Sequence, residues 1–153
     1  MPRKLEIGAV GSLGLMLVLS VAAHAASSLT GPGQIKITDR LVKVTRVDGG
    51  RPGNAGEIDF YRQSLFNLRL TNTPIGHTDM TCINTGTGSM NCSGTYFLPK
   101  GKIMVEGVIG TRLFYELAVV GGTGLYANAR GSVTVNYLGG SQPGEFLMFR
   151  LVI

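Results

Sequence analysis

Apolar and polar residues alternate with period two along much of this chain. Ile35 and Ile37 alternate with Lys36 and Thr38, and Val133 and Val135 with Ser132, Thr134 and Asn136. That period places successive side chains on opposite faces of a half-buried strand. Read throughout, it predicts strands over 35–48, 57–67, 75–84, 91–98, 102–109, 112–120, 132–138 and 145–153. Gly, Pro or Asn breaks nearly every junction, as turns require. No segment keeps apolar residues at helical spacing over three turns. The last strand carries apolar residues on both faces apart from Arg150, the pattern of a strand paired on both sides. Eight strands near ten-residue spacing predict an all-β fold. An eight-stranded antiparallel closed barrel is the economical form, because two small sheets would leave several edges open.

Composition agrees with a turn-rich β domain. The 153 residues include 23 Gly and no Trp, and 15% are charged. Soluble chains average about 25% charged and about 7% Gly. Coiled coils, helical bundles and charged disordered tails need more charge or stronger helix formers than this.

The N-terminus reads as a separate device. Arg3 and Lys4 precede a charge-free apolar run over 7–23, which ends in Ala23-His24-Ala25. This is the layout of a secretory signal peptide at 1–25, followed by a flexible leader at 26–34 and the barrel domain at 35–153. The run is short for a membrane span and diluted by Gly8, Gly11 and Gly14, so no stable membrane insertion is expected after cleavage. The expected location is secreted or periplasmic. The net charge of +5 is scattered, without the basic stripe and interleaved aromatics that nucleic acid requires, so no nucleic-acid partner is expected. Cys82 and Cys92, the only cysteines, flank a Gly-rich turn, and export favours their pairing. His77 is the only His after the leader, too few ligands for a metal.

The segment 116–131, Glu-Leu-Ala-Val-Val-Gly-Gly-Thr-Gly-Leu-Tyr-Ala-Asn-Ala-Arg-Gly, contains the letters of a dinucleotide fingerprint. That fingerprint needs a helix behind its glycines, and here a strand follows, so Gly121, Gly122 and Gly124 read as a structural turn. The same segment resembles the VVGGTG…ARG signature of dirigent proteins and the AVTGG(S/T)G segment of allene oxide cyclases. The resemblance extends through 56–66, 75–82 and 101–107, and with its signal peptide and cysteines the chain looks most like exported bacterial members of that group. It implies an eight-stranded barrel, often a trimer, whose lumen holds a small apolar molecule.

On the positions that match the cyclase lumen stand Asp59, Tyr61 and Gln63 on the second strand and Cys82 on the third. The stretch 41–47 of the first strand offers no glutamate. Asp48 falls close to a dirigent acidic position and is also an ordinary turn former. Alternation alone makes Glu57/Asp59/Tyr61/Gln63 a face too polar for a dry core but suited to a lumen. Met80 joins Asp59, Tyr61 and Gln63 as an expected ligand-binding residue. Glu106 is a candidate acid or base if it points inward and a solvated carboxylate if outward. Two classes of function stay open. One is a hydrophobic-ligand barrel with the cofactor-free isomerase, cyclase or stereo-directing activity that the resemblance implies. The other is a non-catalytic carrier or structural barrel that forms a trimer or binds an envelope partner.

Overall fold

A computed structural model describes residues 33–47, 53–68, 72–110, 113–139 and 144–152. The predicted signal peptide, all but the end of the leader, and Asp48 lie outside the described residues. Eight strands follow in order: β1 Gly33–Val47, β2 Ile58–Asn67, β3 Pro74–Asn84, β4 Met90–Leu98, β5 Gly101–Ile109, β6 Phe114–Gly122, β7 Arg130–Leu138 and β8 Gly144–Val152. Each pairs antiparallel with the next, and β1 pairs with β8 from Gly33↔Leu151 to Asp39↔Glu145, closing the barrel. The expected fold class is the observed one.

Alternation decides which side chains fill the interior. Leu65, Ile103, Val105, Leu117, Val133, Val135, Leu147, Phe149 and Leu151 are at most 1% exposed. Each such burial contributes about 1.5–3 kcal/mol, so this part of the barrel interior is a packed core. Tyr96 meets the Phe149 ring edge-on at 5.0 Å and belongs to that core.

The glycine run ends one strand and begins a turn. Gly121 and Gly122 are the last residues of β6, and Gly124 opens a single 3-10 turn, Gly124–Tyr126. Gly124 has φ +63°, and a Cβ there would lie 2.5 Å from the Lys100 carbonyl oxygen. Both facts require glycine.

Toward the other end the barrel opens. Beyond Asp39, β1 pairs with β2 alone among the described strands, and Leu41, Val42, Val44 and Val47 are exposed. A register shift between Leu41 and Lys43 marks a β-bulge. It changes the inward parity of β1 from Ile37 and Asp39 to Val44 and Arg46, which pair with Tyr61 and Asp59. The bulge thereby turns a cation toward the inner face.

Candidate functional site

Between the packed core and the open end lies a cavity of about 210 Å³. Tyr61, Gln63, Met80 and Cys82 line it from β2 and β3, and Met90, Ile109, Tyr115 and Glu145 complete the wall. Gln63, Met80 and Tyr61 thus share one cavity, as period two along β2 and β3 dictates. Cys82 stands directly opposite Cys92 in the β3–β4 ladder, and the two are disulfide-bonded. The bridge clamps the wall and leaves no free thiol.

Asp59 is buried beside this cavity and is already engaged. Arg46 donates to it from Nε at 2.8 Å and from a terminal nitrogen at 3.2 Å. Arg46 Nε also lies 2.5 Å from Glu57 Oε1, and Tyr61 Oη donates to Asp59 at 3.0 Å. The hydrogen-bonded guanidinium holds the Asp59 carboxyl below its ordinary range against the opposing effect of burial. Tyr61 is pushed up to about 12, by burial first and then by its bond to Asp59, so its phenol stays protonated.

A second acidic group was not singled out by sequence. Glu145 lines the cavity, and Asp39 sits behind it, 2% exposed. The Glu145 backbone N–H donates to Asp39 Oδ1 at 3.0 Å. Tyr115 Oη donates to the Glu145 carboxylate, 3.2 and 3.1 Å from its two oxygens, and the Gln63 amide donates at 3.3 Å. Burial pushes Asp39 up to about 8, aided by the adjacent negative Glu145. Burial raises Glu145 too, but the bonds from Tyr115 and Gln63 and the neighbouring Asp39 carboxyl oppose that rise. Two carboxyls this close cannot both ionise cheaply, so at neutral pH Asp39 holds its proton, and Glu145 is the member of the pair that faces the cavity. Burial and the Glu145 charge raise the Tyr115 phenol as well.

Glu106 is not brought to this site. Alternation along β5 sends Ile103 and Val105 inward and Glu106 to the exposed outer wall, beside Thr81, Ile83 and Ser93. His77 also stands on the outside, stacked on Phe97 at 4.4 Å. Among the described residues no group of His, Cys, Asp or Glu is arranged to hold a metal. The first strand does supply an inward acid, Asp39, although 41–47 contains none. A readable signal existed: Asp39 keeps the phase of Ile35 and Ile37, and Glu145 keeps that of Leu147, Phe149 and Leu151.

No protein-family model matches the chain, and no curated protein matches it. Solved structures do. A pyocyanin demethylase is similar with a TM-score of 0.67 at 25% identity, covering 78% of this chain and 100% of that one. A pterocarpan synthase dirigent protein is similar at 0.66 and 11% identity, over 89% and 97% of the two chains. An exo-specific intermolecular Diels-Alderase is similar at 0.60 and 18% identity, over 78% and 98%. The barrel has the fold of dirigent proteins and these enzymes, as the resemblance around Gly121–Gly124 implied.

Proposed function

We propose that this protein is an exported barrel that binds a small, largely apolar molecule in its lumen and isomerises or cyclises it by moving a proton, with no cofactor. The observation that carries the reading is the Glu145 carboxylate on the cavity wall, fixed by Tyr115 and Gln63 and backed by buried Asp39. In this mechanism Glu145 takes a proton from one ligand atom and returns it to another, so no net proton is gained or lost. A positioned acid–base group contributes about 10²- to 10⁴-fold. The apolar wall of Met80, Met90 and Ile109 holds the reactive conformer and excludes water. The similar demethylase, dirigent protein and Diels-Alderase support a chemical use of such a barrel.

A disulfide suits an oxidising compartment, and among the described residues no helix is long and apolar enough to cross a membrane. Both are compatible with export. On the outer wall Phe60, Ile83 and Val108 are exposed on β2, β3 and β5. We propose this face as the one through which copies associate, as a trimer, to be measured by sedimentation.

The test is a thermal-shift panel of small apolar compounds, followed by product analysis with each compound that binds. A ligand at 100 times its Kd stabilises by about 2.7 kcal/mol. Binding with product formation that Glu145→Gln abolishes supports catalysis; binding with no product assigns carriage; no binding by any compound contradicts the reading.

A further inference from the structure

The charges of the lumen point to the class of molecule it takes, an inference that rests on the reading of the lumen as a ligand site. Among the described residues the cavity wall holds one carboxyl, Glu145, two phenols, and no Lys, Arg or His. Toward the open end stand Asp59 and Glu57, with one guanidinium among the described residues, Arg46, that both carboxylates engage. Behind Glu145, the buried Asp39 Oδ2 has no hydrogen-bond partner among the described residues. Among the described residues carboxyls outnumber cations here, so an anion entering this lumen loses its water and meets repulsion, whereas a cation meets a carboxyl group in a low-dielectric wall.

The remaining wall is soft and aromatic. Met80, Met90 and Cys82 present sulfur, and Tyr61 and Tyr115 present rings. Sulfur sits well at ring edges, and phenol faces attract cations. The volume, about 210 Å³, exceeds the ~150 Å³ void that takes a benzene ring and falls short of the ~300 Å³ at which ordinary ligand pockets begin. One or two rings fit.

We propose that the lumen takes a one- or two-ring aromatic nitrogen compound in its cationic form, with the ring against Met80 and Met90 and the positive charge against Glu145. The test titrates the chain calorimetrically with three probes of one shape: N-methylquinolinium, naphthalenemethanol and naphthoate. The expected order is quinolinium tighter than the neutral probe by about tenfold or more, a gap worth about 1.4 kcal/mol, with naphthoate weakest. Glu145→Gln erases that gap and leaves the affinity for naphthalenemethanol within about twofold. Added salt narrows the gap in the unaltered protein, a readout that needs no variant. Equal affinities, or naphthoate ahead, overturn the charge assignment while leaving the lumen a ligand site. Failure of all three to bind defeats the lumen reading and this inference with it.

Discussion

Asp39 and Asp59 are both buried aspartates of the barrel interior, on neighbouring strands, and their neighbours give them opposite protonation. Asp59 receives two bonds from Arg46 and one from Tyr61, and its carboxyl is held below the ordinary range. Asp39 meets another carboxyl, Glu145, and is pushed up to about 8. Burial works in the same direction at both sites and wins at only one. The difference is the nearest charge, and it separates a carboxylate that holds the open end together from a pair free to exchange a proton with the cavity.

The strongest way to break this comparison is Glu145→Gln. The amide keeps the shape and hydrogen-bond capacity but neither charge nor basicity. Turnover on any compound found to react falls at least about 100-fold, while Asp39 loses its negative neighbour and its pKa drops. Steady-state rates and a carboxyl titration check the two halves.

Asp39→Asn acts on stability with a definite sign. A carboxyl whose folded pKa is raised contributes stability that is complete below its unfolded value, near 3.8, and is lost as pH rises through about 8. The Asn variant has no such decline. Its stability relative to the unaltered protein therefore grows between about pH 4 and pH 8, by ~2 kcal/mol or more. Urea unfolding at several pH values measures it.

Arg46→Met works on the other aspartate and in the other direction. Asp59, held low, contributes stability that is present above its unfolded value and lost as pH falls through its folded value. Without Arg46 the Asp59 carboxyl rises, the acid-unfolding midpoint moves to higher pH, and the protein melts lower at neutral pH. Acid unfolding followed by circular dichroism gives that midpoint.

Glu106→Gln sharpens the comparison by leaving the interior alone. Glu106 lies on the exposed outer wall, so turnover stays unchanged and stability moves by no more than about 0.5 kcal/mol.

Much of this was legible in the chain. All eight strands fall where alternation and turn residues put them, and Tyr61, Gln63 and Met80 share the cavity because period two leaves them no other face. The inward phase of each acid was legible, but neither the meeting of Asp39 with Glu145 nor the partner of Asp59 was. Asp39 and Glu145 are more than a hundred positions apart and meet only when β1 closes on β8, a pairing that local pattern does not specify. The bulge after Leu41 also exchanges the two faces of β1, so a single uninterrupted period turns Arg46 outward and hides the partner of Asp59. Glu106 was ambiguous because apolar Met104 and Val108 share its face, and only the ladder to β4 and β6 resolves which face is inside.

The most direct measurement is a ¹³C NMR titration of the side-chain carboxyls, with Asp39 and Glu145 assigned through the Asp39→Asn and Glu145→Gln variants. The account predicts that Asp39 keeps its proton at neutral pH and releases it near pH 8, while Asp59 titrates below its ordinary value. If Asp39 and Asp59 both titrate near the ordinary value of about 4, the proton-holding pair does not exist and the proposed chemistry of the lumen falls with it.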